Sequence, residues 1–281
     1  MKNALTVHCV VKNEEKWIWY AINSILNIAQ KVLVYDTGSV DRTVEIIKAI
    51  KSKKIIFEEK GQVDAKELVK LREEQLRKTK TKWFLILDGD EIWTKKAKKE
   101  LMSKLKNARS KDWAVVIKAW NFVGDTYHIH PESINYNWTY APKSWQGWAN
   151  LRVVSTQIPS LGIKGEYPLE YYHDKTGKPI QNYGTKHLIL LKNRYFHTTY
   201  LQRSSSRKQD KNVLNRANKW KLELGYRLPK GTKYPEVFYQ KRPSIVSPPF
   251  YRRSTVETLV SAPISPIKSL RRKFLRLYTP K

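Results

Sequence analysis

The chain has 281 residues, of which 41% are hydrophobic, with 10 Trp and 16 Tyr. This excludes a disordered chain and is enough for one large α/β domain with a modest additional segment. Lys and Arg number 54 against 25 Asp and Glu, and the net charge of +29 favours polyanionic partners such as phosphates, nucleic acid or an anionic membrane. Residues 201–281 are disproportionately basic, with 20 Lys and Arg against 4 Asp and Glu. The single cysteine, Cys9, excludes an intramolecular disulfide and favours a reducing, cytosol-like compartment. We expect no signal peptide and no membrane-spanning segment, because no sufficiently long apolar run occurs.

Strands and helices alternate in the first part of the chain. Apolar runs predict strands at residues 4–11, 31–35, 55–57, 83–87 and 113–120. Apolar residues at helical spacing predict helices that begin at Asn13 and after Ser39, and helices over residues 64–78, with Leu68, Leu71 and Leu76 inward, and 95–106. Strands that are apolar on both faces and separated by amphipathic helices predict an α/β domain with a mostly parallel sheet flanked by helices.

The second part of the chain is harder to assign. Short strands are predicted at residues 151–154 and 188–191, and a basic helix over residues 204–224. From Lys230 onward we expect the prolines to break regular structure, apart from an amphipathic helix over residues 264–278. Its apolar face would contain Ile264, Ile267, Leu270, Phe274, Leu277 and Tyr278, and basic side chains would surround it. Such a helix suits an anionic membrane surface, and a solvated or core-docked helix is the alternative.

Carboxylates follow two of the predicted strands. Asp36 ends one strand, and Asp88-Gly89-Asp90-Glu91 ends another. Because ligands of parallel sheets bind beyond the carboxyl ends of the strands, these acids are candidates for a site. Grouped carboxylates need a counter-charge, and hard oxygen ligands suit Mg²⁺ or Mn²⁺ carrying phosphates. Neither a P-loop nor a Gly-x-Gly-x-x-Gly motif is present to hold phosphates.

Three motifs occur in order: Val-Val-Lys-Asn-Glu-Glu at 10–15, Val-Tyr-Asp-Thr-Gly-Ser-Val-Asp-Arg-Thr at 34–43, and Leu-Ile-Leu-Asp-Gly-Asp-Glu at 85–91. Together they resemble family 2 glycosyltransferases, which have the GT-A fold. The resemblance implies inverting transfer of a sugar from a nucleotide-diphosphate donor to the hydroxyl of a glycan or lipid-linked acceptor. On this basis we expect a donor-binding half at 1–120, an acceptor-binding and catalytic half at 121–228, and a Pro-rich basic tail at 229–281.

The resemblance also implies roles for individual residues. Val11, Asn13 and Glu14 would border the nucleotide, and Arg72 would approach the diphosphate. The acids of the Asp-x-Asp motif would hold the metal, Asp90 directly, with Asp88 also near the ribose or sugar. His197 would be a further metal or diphosphate ligand, and Asp36 would recognise the base. A turn that caps the following helix is a second role open to Asp36.

Inversion needs a general base that accepts the proton of the acceptor hydroxyl. The candidates are Glu166 and Glu170, in a loop rich in turn-forming residues, and Glu166 is preferred. The stretch 136–148 contains Tyr136, Trp138, Tyr140, Trp145 and Trp148. Its aromatic rings would stack on acceptor sugars or form part of a core.

Two other function classes remain open on the sequence. A basic, aromatic-rich chain is also typical of a nucleic-acid-binding protein, although acids at the mouth of the predicted sheet make nucleic acid an unfavourable partner there. A metal-dependent nucleotidyltransferase also places carboxylates at strand ends. We expect a cytoplasmic protein, with peripheral attachment at the inner face of the membrane if the C-terminal helix binds lipid.

Overall fold

The computed structural model describes residues 5–135 and 145–278. The elements of the first part are β1 (Leu5–Val11), α1 (Ile18–Ile25), β2 (Ala29–Asp36), α2 (Thr43–Lys48), β3 (Ile55–Glu59), α3 (Ala65–Lys78), β4 (Trp83–Ile86), β5 (Glu91–Ile92) and α4 (Lys95–Lys106). The elements of the second part are β6 (Ala114–Val123), β7 (Asp125–Ile129), α5 (Glu132–Asn135), β8 (Ala149–Ser155), β9 (Gly162–Lys164), β10 (Tyr171–His173), β11 (Leu188–Tyr200), α6 (Arg207–Lys211), β12 (Tyr226–Arg227) and α7 (Thr255–Tyr278).

The predicted α/β class is confirmed, and the sheet is mixed. Strands β3, β2, β1 and β4 lie side by side and are parallel. Beyond β4 the direction changes, because β8 is antiparallel to both β4 and β6. The long strand β11 then runs parallel to β6 and pairs at its far end with β5. The parallel half therefore ends beside β4, whose following residues form the Asp-Gly-Asp turn.

Helix α1 begins later than the sequence predicts. Asn13 has a φ of 52°, in the left-handed region that asparagine tolerates better than most residues, and the chain makes a turn there before the helix begins at Ile18. The Asn13 amide donates to Ser39 Oγ at 2.8 Å, and its side-chain oxygen accepts from the Val40 amide at 2.8 Å. These bonds connect the segment after β1 to the segment after β2.

Helix α3 carries polar side chains on its buried face. Asp64 caps it by accepting from the backbone amides of Lys66 and Glu67. The inward prediction holds for Leu68, but Leu71 and Leu76 are only half-buried, whereas Arg72 and Gln75 are buried. Gln75 Nε2 donates to the carbonyls of Cys9 at 3.2 Å and Leu33 at 3.0 Å, which fastens α3 to β1 and β2. Arg72 is consequently presented to the end of the sheet.

The predicted helix over residues 204–224 is wrong, since only α6 is helical there. Polar side chains of the segment bond to backbone groups, some of them in other segments, and these bonds compete with a continuous helix. The Asp210 carboxylate accepts from the amides of Arg203 at 3.1 Å and Ser204 at 3.2 Å, and Arg216 reaches the carbonyl of Asn13 at 2.6 Å.

The expected C-terminal helix is present but begins earlier than predicted, since α7 starts at Thr255 rather than Ile264 and contains Pro263 and Pro266, which the sequence predicts to break regular structure. Each proline removes one amide donor, and the remaining hydrogen bonds hold the helix. Ser254 and Glu257 form a capping box at its start, with two amide-to-side-chain bonds of 3.1 Å. Along residues 5–135 and 145–278, no helix combines the length and apolar composition needed to cross a bilayer.

Candidate active site

A cleft of about 450 Å³ lies beyond the carboxyl ends of β1 and β4. One wall is formed by Val11 and Glu14 and another by the Asp88–Asp90 turn. Helix α3 contributes Arg72, and the end of β11 contributes His197. This is the position at which open α/β sheets bind ligands, because the loops that follow adjacent parallel strands meet there.

The Asp-Gly-Asp turn is held closely against the segment after β1. A Cβ on Gly89 would lie 2.7 Å from Glu14 Cγ and 3.2 Å from Val11 Cγ1, so a side chain at this position has no space. The two acids that flank Gly89 differ in environment. The Asp88 side chain is 35% exposed, whereas that of Asp90 is 1% exposed.

Asp90 and Glu14 share one guanidinium. Arg203 Nη1 bonds to Asp90 Oδ2 and lies 3.3 Å from Glu14 Oε1. Arg216 bonds to the same Glu14 oxygen and lies 3.1 Å from Asp210 Oδ1. The side chains of all four residues in the contacts to Asp90 and Glu14 are nearly buried: Asp90, Glu14, Arg203 and Arg216. Two guanidinium groups therefore neutralise carboxylates that would otherwise repel one another.

The pKa values of Glu14 and Asp90, which share Arg203, are shifted in opposite directions. Burial raises the pKa of Glu14, an effect that the two arginines only partly offset. Burial alone would raise the pKa of Asp90 as well, but the Arg203 guanidinium and the His197 imidazole hold it well below its ordinary value. The Asp90 carboxyl therefore ionises more readily than that of Glu14.

His197 lies beside Asp90 because β5 and β11 pair. His197 is opposite Glu91 in the register of these strands, and its Nε2 atom lies 3.2 Å from Asp90 Oδ2. Burial would lower the pKa of His197, but the Asp90 carboxylate raises it above the ordinary value, which favours the imidazolium. In the structure His197 is thus a partner of Asp90.

Two further arginines complete the walls of the cleft. Arg152, from β8, donates to Asp88 Oδ2 at 2.8 Å and to Glu91 Oε1 at 2.6 Å. Arg72 lies 3.1 Å from Glu170 Oε1 and 4.0 Å from Asp88 Oδ1. Each arginine thus bridges two carboxylates, as Arg203 does, and all of these cationic groups face the same cavity.

The two candidates for the general base lie in different surroundings. Glu170 lines the cleft with a side chain that is 12% exposed and contacts Arg72. Glu166 is 58% exposed, lies 3.5 Å from Lys66, and is not part of the cleft lining. Glu170, and not the preferred Glu166, therefore lies in the cleft.

Asp36 and Asn13 lie behind the cleft rather than in its lining. Asp36 is 2% exposed, and its Oδ1 atom accepts from the amides of Gly38 at 3.0 Å and Ser39 at 2.9 Å, so the turn-forming role is the one that the structure displays. The next residue, Thr37, does line the cleft. Asn13 contributes through its backbone, since its carbonyl accepts from Arg216.

The aromatic stretch is only partly within the described residues. Trp148 lines the cleft. Trp145 lies under Lys118, whose Nζ atom is 5.0 Å from the ring centroid. Tyr136, Trp138 and Tyr140 lie outside the described residues, so their predicted contact with acceptor sugars stays a prediction.

The carboxylates of the Asp88–Asp90 turn suit a metal cation that takes most of its ligands from substrate. In the described part of the chain, no group of three or more His, Cys, Asp and Glu side chains is arranged to hold a metal ion. Asp90 Oδ1, however, is buried and receives no hydrogen bond from the described residues. Mg²⁺ and similar cations are commonly held by one or two carboxylates together with substrate phosphates. Asp90, with Asp88 beside it, fits that arrangement.

Asp88 and Asp90 line the cleft at the mouth of the sheet, as the sequence predicts, but Arg152, Arg216 and Tyr167 of the same cleft were not predicted. Arg152 and Arg216 are distant in sequence from their partners, 61 residues from Glu91 and 202 from Glu14 respectively. No spacing motif connects such positions. The excess of basic residues after residue 200 is a signal for Arg216 alone, and it does not indicate which carboxylate is the partner.

Known proteins resemble this chain in sequence and in structure. An uncharacterized glycosyltransferase of Rickettsia bellii (strain RML369-C) is 32% identical over 97 residues, which are 34% of this chain and 31% of that protein. The chain thus spans less than a third of the curated relative that it matches. The crystal structure of S. aureus TarS aligns with a TM-score of 0.46 at 16% identity, covering 77% of this chain and 41% of TarS.

A second TarS structure, of residues 1–349 in complex with UDP-GlcNAc, aligns with a TM-score of 0.48 at 15% identity, covering 77% of this chain and 69% of that one. The sequence profile described as glycosyl transferase family 2 matches residues 6–157, just over half of the chain. The matched region contains β1 to β8, and with them the Asp-Gly-Asp turn, Glu14, Arg72 and Arg152. The chain belongs to glycosyl transferase family 2.

Proposed function

We propose that this protein transfers a sugar from a nucleotide-diphosphate sugar to the hydroxyl of a glycan or lipid-linked acceptor, with inversion at C1 of the sugar. The observation that carries the proposal is the convergence of Arg72, Arg152, Arg203 and Arg216 with the Asp-Gly-Asp turn on one cleft. Diphosphate oxygens are good acceptors for the forked guanidinium group. The cleft lies at the sheet edge that the matched family region forms.

The arginines are balanced by carboxylates in the absence of substrate. Arg203 bridges Asp90 and Glu14, and Arg152 bridges Asp88 and Glu91. An incoming diphosphate would compete with these carboxylates for the same N–H donors. Lys12 and Lys219 also line the cleft and add positive charge at its rim. Charge that develops on the leaving diphosphate would therefore meet oriented cations, which is typically the largest contribution to this kind of catalysis.

A divalent cation is part of the proposal. Asp90 would hold Mg²⁺ or Mn²⁺ through its Oδ1 atom, with Asp88 close to the sugar side of the site, and His197 would keep Asp90 ionised. When bound, the cation would act as a Lewis acid on the diphosphate. The contribution of the protein itself is that Arg203 and His197 would keep the Asp90 carboxylate ionised and oriented in the cleft.

We propose Glu170 as the general base. As the acceptor oxygen forms its bond to C1, the bond from C1 to the diphosphate oxygen breaks, the hydroxyl proton passes to the Glu170 carboxylate, and the nucleoside diphosphate leaves. Its Oε1 atom contacts Arg72, whereas its Oε2 atom is buried and receives no hydrogen bond from the described residues. That second oxygen would accept the proton.

The experiment that tests this proposal is product analysis with UDP-, GDP-, CDP- and dTDP-sugars in the presence of Mn²⁺. Release of a free nucleoside diphosphate from one of these donors, abolished in Asp90→Asn, is the expected result. Release of pyrophosphate from nucleoside triphosphates instead would mark a nucleotidyltransferase. Binding of oligonucleotides with no turnover of any donor would mark a nucleic-acid-binding protein. Either of these results would contradict sugar transfer.

A further inference from the structure

Helix α7 is amphipathic, yet its apolar side faces away from the protein. The exposed fraction is 70% for Val256, 68% for Leu259, 44% for Val260, 69% for Ile267 and 70% for Leu270. Isolated exposed apolar residues are common, but these five share one side of a single helix. We name these five residues the apolar stripe.

The opposite, polar side of α7 is the one that packs on the protein. Arg272 Nη1 lies 2.7 Å from Glu223 Oε2, and the Lys268 ammonium lies 3.9 Å from Glu223 Oε1. Ser265 Oγ accepts from the Leu224 amide at 2.8 Å, and Ser261 is only 3% exposed. The docked face therefore consists of small hydroxyl residues and two cations held by one buried glutamate.

The rotation of the helix follows from these contacts. At about 100° per residue, the apolar stripe spans an arc of about 100°, and its centre lies nearly opposite the centre of the docked face. A helix stabilised only by its own protein would turn this arc inward. Here the polar contacts with Glu223 and Leu224 fix the opposite orientation, so the apolar stripe faces solvent.

Basic side chains border the stripe on both sides. Arg271 lies along one edge and Lys273 along the other, both side chains are exposed, and neither has an ion-pair partner among the described residues. The sole acid of the α7 sequence, Glu257, is paired with Arg207 at 2.7 Å. An outward apolar stripe with cations along its borders is the pattern of a helix that lies in a membrane interface.

We propose that α7 binds an anionic membrane surface, with the apolar stripe inserted between headgroups and with Arg271 and Lys273 on the lipid phosphates. A second copy of the chain would be the other occupant of an apolar stripe. Two such helices face to face would bring these unpaired cations together on a chain of net charge +29, and that repulsion disfavours the pairing. The membrane satisfies both the apolar and the charged part of the surface.

The test is co-sedimentation of the full chain with vesicles made of equal parts of phosphatidylglycerol and phosphatidylcholine. Wild type should bind these vesicles and bind pure phosphatidylcholine much more weakly. Ile267→Asp/Leu270→Asp should lower the partition coefficient at least about tenfold, because two apolar side chains lose their insertion. Arg271→Glu/Lys273→Glu should lower it at least about thirtyfold, from the loss of two headgroup contacts.

A matched control separates a local effect from a general one. Lys104→Glu/Lys106→Glu, on the exposed side of α4, changes the net charge by the same amount and should retain most of the binding. Equal losses in the two charge-reversal variants, equal binding to both vesicle types, or binding unaffected by the stripe variant would each overturn the proposal. A dimer in sedimentation analysis that dissociates in the stripe variant, without vesicle binding, would assign the stripe to a second copy and also overturn it. Nucleotide binding measured on the same variants keeps this outcome separate from that of the proposed sugar transfer.

Discussion

Removal of the guanidinium shared by Asp90 and Glu14 should destabilise the fold. Arg203→Met keeps most of the volume of the side chain but leaves two carboxylates, 1% and 5% exposed, without their common cation. Breaking a buried pair by removal of one partner costs about 3–5 kcal/mol. Because Arg216 still contacts Glu14 and His197 still contacts Asp90, we expect the low end, about 3 kcal/mol at neutral pH.

Urea unfolding followed by tryptophan fluorescence would measure this loss. Burial already raises the pKa of Glu14, so in the variant this carboxylate should take up a proton more readily and the loss should shrink as the pH falls. Adding Glu14→Gln to the variant should recover part of the stability. The matched control is Arg207→Met, which removes an arginine that is 47% exposed and should cost less than about 1 kcal/mol. The reasoning would be refuted by equal losses in Arg203→Met and Arg207→Met.

Three further predictions concern single positions. Gly89→Ala should lower stability by about 1–3 kcal/mol and weaken nucleotide binding, because its Cβ would lie 2.7 Å from Glu14 Cγ; an unchanged melting temperature and affinity would show that the turn can yield. Burial lowers the pKa of His8 to about 3 from an ordinary value of 6.5, so its neutral imidazole stabilises the fold at pH values above 6.5, and this contribution is lost as the pH falls. Between about pH 7 and pH 5, the free energy of unfolding measured in urea should fall by about 2 kcal/mol more for wild type than for His8→Gln. Parallel losses in the two proteins would contradict this. Glu170→Gln should reduce kcat by about 10²–10⁴-fold and Glu166→Gln only slightly, whereas the reverse order in steady-state kinetics would restore Glu166 as the base.

The first half of the fold could be predicted because its signals are local. The apolar runs of β1, β2 and β4 are continuous in sequence, and the acids that follow them lie where parallel strands end. Local patterns failed over residues 204–224, where Asp210 accepts from the nearby Ser204 amide and Arg216 donates to the distant carbonyl of Asn13 in place of a helix. Val213, Ala217, Trp220 and Leu224 have helical spacing, but such spacing does not register these competing bonds, and the chain is not helical there.

The site could be predicted only in part, for a related reason. Its acids belong to local motifs, but Arg152 and Arg216 reach them across the fold. Glu166 and Glu170 are four residues apart in one loop, and sequence could not distinguish them. The pairing of β9 with β10, in which Tyr171 is opposite Lys164, fixes that loop so that Glu170 faces Arg72.

The most direct test of the account is calorimetric titration of UDP, GDP, CDP and dTDP, each with and without Mn²⁺, into wild type and Asp90→Asn. Asp112→Asn, which alters a carboxylate that pairs with Arg109 outside the cleft, is the matched control. We expect one nucleoside diphosphate to bind wild type and Asp112→Asn more tightly with Mn²⁺, and the gain from Mn²⁺ to disappear in Asp90→Asn. If no nucleoside diphosphate binds wild type, or if the gain from Mn²⁺ survives in Asp90→Asn, the cleft is not the metal-assisted donor site proposed for it.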